Sequence, residues 1–135
     1  MKNNLMIGNL VFDGDKIITI KTGSQIDESD KYEPIPLTDE NIEFLCFRQI
    51  KTMATFNIID ALTVKEYYSR LMKGVSIFYI IKTKDFVFTS GSVGVKIKYL
   101  HELQNIFTVM LNHELNTHNF WFKHFQLQTQ MKNNE

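Results

Sequence analysis

Three of the four histidines, His101, His113 and His118, fall within KYLHELQNIFTVMLNHELNTH (Lys98–His118), and two of them are followed by glutamate. Imidazole beside carboxylate is the material of zinc sites and of general acid–base centres. Spacing argues against both here. On a helix turning 100° per residue, His101 and His113 point about 120° apart, so one straight helix cannot offer both to a metal. In HELNTH the histidines stand five apart, about 140° of rotation, which splits the ligand pair that His-Glu-x-x-His keeps on one face. Leu100, Leu103, Ile106, Phe107, Met110 and Leu111 form one apolar arc instead, the inner side of an amphipathic helix, with His101 off that face. His101, Gln104 and Asn105 make a polar edge. Such an edge either meets a partner or ties the helix to its neighbours through side-chain hydrogen bonds.

FWFKHF (Phe120–Phe125) is the second candidate surface: Trp121, Phe122 and Phe125 interleave with Lys123 and His124. Bases stack on such aromatics while the cations meet phosphate; burial in a small core or against a second copy explains the run as well. The remaining motifs carry less. GSVG (Gly91–Gly94) lacks the Lys-Ser/Thr of a phosphate loop and reads as a four-residue hairpin loop. Asp13-Gly14-Asp15 lacks the further oxygens that calcium needs. Cys46 has no sequence-evident base to activate it, and no nucleophile elbow surrounds a serine. The expectation is therefore a non-enzymatic protein with no metal and no cofactor.

YLHELQNIF (Tyr99–Phe107) followed by LNHEL (Leu111–Leu115) resembles the ending of a group of short proteins of phages, prophages and mobile elements of gut bacteria. Their pattern runs Tyr-Leu/Val-His-Gln-Leu-Gln-Asn-Leu-Tyr/Phe, then Leu-Thr-Gly-Glu-Glu-Leu. Two further islands match in order: IGNLV from Ile7 with GDKIITI, and YEPIPLT from Tyr32 running to Phe47. Together the islands cover under half of the chain. The resemblance implies kinship and origin, and brings no activity with it. It implies a helix stop at Asn112, which takes the place of the relatives' glycine. It also sets Cys46 where relatives often carry glycine after their first helix, a difficult place for a side chain.

The chain has 135 residues, 44% hydrophobic and 13% aromatic, enough for one domain with a bulky core. Zero formal net charge argues against strong non-specific attraction to nucleic acid or anionic membrane. The zero conceals two blocks. Asp27–Glu43 holds seven acids against Lys31, a net of −6, and Arg48–Lys98 holds nine bases against three acids, a net of +6. Folding mixes sequence blocks, so mutual neutralisation is the expectation. A single cysteine suits a reducing interior. MKNNLMIGNLVF has too short an apolar run for a signal peptide, and no stretch approaches a membrane span. The reading is a cytoplasmic protein without membrane contact.

The elements follow from pattern. Met6–Phe12 and Lys16–Lys21 flank Asp13-Gly14-Asp15 as an N-terminal hairpin, and the acidic stretch to Glu33 reads as an exposed loop. Thr38 caps a helix of two to three turns with Asp39 and Glu40 in its first turn. TMATFNII, within residues 48–62, suits a strand. Thr63 and Glu66 fit a capping box ahead of a second helix, Val64–Lys73, stopped by Gly74. VSIFYIIKT suits a central strand covered on both faces, FVFTS the next strand, and Val93, Val95 and Ile97 alternate as a half-exposed one. In the tail, Trp121, Lys123, Phe125, Leu127, Thr129 and Met131 alternate as in a strand, and residues 131–135 fray. The expected fold is one α+β domain over residues 1–135, with an N-terminal β-hairpin, a mostly antiparallel sheet and two to three short helices. The expected function is an accessory protein of a phage or mobile element, acting through contact with a protein partner or with itself. The alternative is a nucleic-acid or nucleotide-binding module built on the basic segment 48–98 and the aromatic tail.

Overall fold

The computed structural model describes residues 5–49 and 64–124. It has an N-terminal two-stranded antiparallel hairpin, a five-stranded antiparallel sheet and short helices, the α+β class expected. The chain packs as two compact units: Met1–Leu37 with Ile97–Leu115, and Thr38–Lys96 with Asn116–Glu135.

In the first unit, β1 (Leu10–Asp13) pairs with β2 (Lys16–Thr19) from Leu10↔Thr19 to Asp13↔Lys16. Gly14 turns the hairpin at φ +62°, which glycine enters without steric cost. Alternation gives the hairpin two buried sides. Val11 and Ile18 pack with Leu5, Ile20, Tyr32 and Ile26 on one. Leu10 and Ile17 are buried on the other, and α3 (Leu100–Met110) packs against β1. The acidic stretch expected as loop forms α1 (Gly23–Asp27) and a 3-10 turn over Ser29–Lys31. A Thr22–Gln25 capping box starts α1: the Gln25 amide donates to Thr22 Oγ1 and the Thr22 amide to Gln25 Oε1. Polar composition hid that signal, because neither helix buries a residue.

Helix α3 begins and ends as its sequence requires. The Glu102 carboxylate reaches back to accept from the Lys98 and Tyr99 amides at 3.0 and 2.9 Å, satisfying two donors at the helix start. Asn112 stops the helix at φ +49°. Ahead of α3, the Leu37 amide donates to the Lys98 carbonyl and the Leu100 amide to that of Ile35, so 35–37 runs antiparallel to 98–100.

The second unit is a meander in the order β3 (Phe47–Gln49), β4 (Val64–Ser69), β5 (Val75–Ile80), β6 (Asp85–Ser90) and β7 (Val93–Ile97). Register puts Gln49, Tyr67, Ile77 and Phe88 in one cross-strand row, with Phe47, Val75 and Phe86 on the same face. All but Gln49 are buried, as are Ile42 and Leu45 from the segment of α2 (Asp39–Glu43) that packs on β3. Thr38 caps α2 as expected, accepting from the Asn41 amide at 3.0 Å, but the helix is short. Cys46 takes φ +65° in the turn that follows, a left-handed conformation normally given to glycine.

Several expectations are overturned here. Val64–Lys73 is not a helix: Val64–Ser69 is a strand, because Tyr67 enters the core while Tyr68 points the other way, a period of two rather than 3.6. Gly74 serves the β4–β5 turn at φ +81° instead of stopping a helix. Strand β5 is central, with Val75 and Ile77 buried on one face and Ser76, Phe78 and Ile80 half-buried on the other. The described part of the tail, residues 118–124 (α4), is helical and not a strand; the Trp121 amide donates to the Thr117 carbonyl at 3.0 Å. The hairpin loop after β6 is shorter than GSVG, with Val93 and Gly94 already in β7. Residues 50–63, with the whole of the expected TMATFNII strand and the Thr63 cap, and residues 125–135, lie outside the described residues.

Gln104 joins α3 to the hairpin: its Oε1 accepts from the Leu10 amide at 2.8 Å and its Nε2 donates to the Gly8 carbonyl at 3.2 Å. Gln104→Ala leaves the buried Leu10 amide without that acceptor. The expected loss is about 1–3 kcal/mol of stability, read as a lower urea midpoint at unchanged slope. An unchanged midpoint would refute the clamp.

Candidate functional site

The histidine-rich stretch resolves into structural parts. His101 is 3% exposed and stacks on Tyr99, with ring centroids 5.8 Å apart. Its Nδ1 has no hydrogen-bond partner among the described residues. Burial lowers its pKa, against a smaller opposing pull from Glu102. The expectation that His101 lies off the buried side is therefore corrected: α3 is buried on a wider arc than its aliphatic residues mark, and that arc takes in His101 and Gln104. Glu102, the acid of the first His-Glu pair, is the helix cap. His113 is exposed with Nδ1 2.9 Å from the Glu114 carbonyl oxygen, and His118 is exposed in the second unit. Among the described residues no three of His, Cys, Asp and Glu gather as metal ligands.

Gln104 and Asn105 do what a polar helix edge does when it faces its own fold. Beside the Gln104 clamp, Asn9 Nδ2 donates to Asn105 Oδ1 at 2.8 Å, while Asn9 Oδ1 accepts from the Met6 amide at 2.7 Å. Next to this network lies a cavity of about 380 Å³ lined by Ile7, Gly8, Asn9, Asn105, Thr108 and His113, among others. Its polar walls are largely committed to one another.

The aromatic run behaves differently. On α4, Phe120 is buried and Lys123 Nζ lies 4.2 Å from the centre of the Phe44 ring, a cation–π contact. Those residues fall on one side of the helix, and Phe122 falls about 160° from Phe120. Phe122 is 60% exposed; Trp121 and His124 are half-buried. Phe125 lies outside the described residues. The aromatic residues and the basic segment, joined in the nucleic-acid alternative, thus occupy different elements of the second unit: a helix, and the sheet with its turns.

The sheet itself has two unlike faces. Opposite the sealed side, register lines up Arg48, Tyr68, Ser76 and Thr89 in one row, then Glu66, Phe78 and Val87, then Val64, Ile80 and Asp85. Tyr68 is 37% exposed and the apolar residues beside it are half-buried. Burial raises the pKa of Glu66 on this face. On the sealed face burial is the main cause that pushes the Tyr67 phenol up to about 12, with Asp39, Glu43 and Tyr79 adding to it.

Charge is sorted between the units. Among the described residues the first unit carries eight acids against four bases, and the second eight bases against five acids. One ion pair joins the two sequence blocks, Lys65 to Asp39 at 3.0 Å.

No protein-family model, curated protein or solved structure matches the chain.

The buried imidazole makes stability pH-dependent with a definite sign. The folded state disfavours the charged ring, whereas the unfolded chain protonates it near pH 6.5. Unfolding therefore takes up a proton below about pH 6.5, and stability, complete above that value, falls as the pH drops toward the lower folded-state pKa. His101→Phe is expected to narrow the difference in Tm between pH 7.5 and 5.5 relative to the parent chain. An unaltered difference would show that His101 does not titrate with unfolding.

Proposed function

We propose that the protein is a small non-enzymatic accessory protein of a phage or mobile element, acting in the cytoplasm through contact with a protein partner or a second copy of itself. The observation that carries this reading is Phe122, a large aromatic 60% exposed on α4, directed away from the Phe120 side that anchors the helix. Interfaces are enriched in aromatic side chains at their centres, and a rigid ring costs little conformational entropy to immobilise. Half-buried Trp121 adds area beside it.

Two further points support the reading. Of the histidines and glutamates that most suggest chemistry, His101 is buried, Glu102 caps its helix and His113 Nδ1 lies 2.9 Å from the Glu114 carbonyl oxygen. The islands that resemble the phage and mobile-element group meet in the fold: Gln104 and Asn105 of YLHELQNIF bond to Gly8, Asn9 and Leu10 of IGNLV. YEPIPLT runs against the start of the same helix. The resemblance thus falls mainly on the first unit, a coherent piece of structure rather than scattered matches. No helix among the described residues is long and apolar enough to cross a membrane.

Native mass spectrometry of the purified chain, with Phe122→Ser beside it, tests the reading. The parent is expected as a homo-oligomer or with a bound protein, and Phe122→Ser as the monomer with an unchanged thermal transition. A complex that survives the substitution intact would overturn the role of this surface.

A further inference from the structure

We propose that the open face of the five-stranded sheet binds single-stranded nucleic acid, with Tyr68 and Phe78 as stacking surfaces and the cations at the strand ends holding the phosphates. Antiparallel sheets that present aromatic rings on an uncovered face are suited to unstacked bases, because every base offers a π-face whatever its identity. Here Tyr68 on β4 and Phe78 on β5 share the face, and Arg48 on β3 stands directly across from Tyr68.

Charge complementarity identifies the occupant. Arg48, Arg70, Lys73, Lys82 and Lys84 are all exposed, and none forms an ion pair with a described residue. Arg70 and Lys73 lie in the β4–β5 turn at one end of the strands, Lys82 and Lys84 in the β5–β6 turn at the other. The six-residue strand between those turns spans about 20 Å. The acids are fewer and two of the five are paired: Asp39 of α2 with Lys65, whose register puts it on the sealed face, and Asp85, in the end row of the open face, with Lys96 at 3.3 Å. Glu40 and Glu43 lie on α2, and Glu66 lies beside Phe78 on the open face. A carboxylate there repels phosphate and accepts from a base N–H, thymine N3–H included, so bases lie over the middle of the face and the backbone follows the cations.

Binding is measured by fluorescence anisotropy with a labelled oligo(dT) strand of about 20 nucleotides and with a duplex of the same length. The strand is expected to bind more tightly than the duplex, which hides its base faces. Its affinity should fall steeply between about 50 and 200 mM salt. Tyr68→Ala should weaken it about fivefold or more, and Lys82→Glu with Lys84→Glu should weaken it and flatten the salt dependence. The charge-reversal pair, in an exposed turn, carries the test should Tyr68→Ala unfold the chain. Two results would overturn the proposal: no binding of either probe at low salt, or equal binding of strand and duplex that Tyr68→Ala leaves unchanged. Both are separable from the Phe122 test, which reads protein association.

Discussion

A single carboxamide sets the arrangement of the first unit. A strand entering a hairpin must satisfy amides and carbonyls on both edges; β2 pairs with one edge of β1, and on the other Phe12 exchanges two backbone hydrogen bonds with Glu33. Gln104 serves the start of that second edge, accepting from Leu10 and donating to Gly8 with one planar group. That geometry needs both an acceptor and a donor; ionised glutamate has no donor, and leucine has neither. It also fixes the rotation of α3 about its axis. Once Gln104 faces the hairpin, His101, one turn earlier, is carried inward with it, and Leu100, Leu103 and Phe107 fill the adjoining side. The buried imidazole is thus a consequence of the clamp rather than of any chemistry asked of histidine.

In the second unit the governing constraint is the two-residue period of a strand. Tyr67, Ile77 and Phe88 occupy one face and are sealed. The neighbours that alternate with them must then point to the other face whatever their chemistry. Tyr68, Phe78 and Val87 are there because of that rule; Tyr68 is exposed and the other two are half-buried.

How legible this was in the sequence depended on whether the deciding interaction was local. The hairpin, the Thr38 cap and the apolar arc of α3 were readable, because each is written in a few adjacent residues, whereas the left-handed Asn112 stop was expected only from the resemblance. The Val64–Ser69 strand was not, because Tyr67-Tyr68 followed by Leu71-Met72 satisfies helical spacing as well as it satisfies alternation. Pairing with β3 and β5, invisible locally, decided it. The tail misled for the same reason, since Trp121 and Lys123 alternate on paper while α4 places Lys123 over Phe44, far away in sequence. Of the candidate residues, the two-sided role of Gln104 and Asn105 was posed correctly as surface or tie, but only their hydrogen-bond partners could choose between them. That Tyr68 and Phe78 share one sheet face was missed outright, since a residue assigned to a helix cannot be placed on a sheet face.

The charge distribution carries the argument one step further. Had folding interleaved the acidic and basic blocks, Lys65–Asp39 would have been one pair among many. Instead the acids of Asp27–Glu33 remain with the first unit, and five bases of the second meet no described acid. Unpaired exposed cations contribute little to stability and raise the self-repulsion of a compact unit, so fold stability alone gives no reason to concentrate them. The acidic unit holds the clamp and the capped helix, both structural requirements. The basic unit holds both the exposed ring of Phe122 and the open sheet face. A division of labour follows from this sorting, in which the first unit is shaped by the demands of its own packing and the second keeps the surfaces that packing leaves unspent.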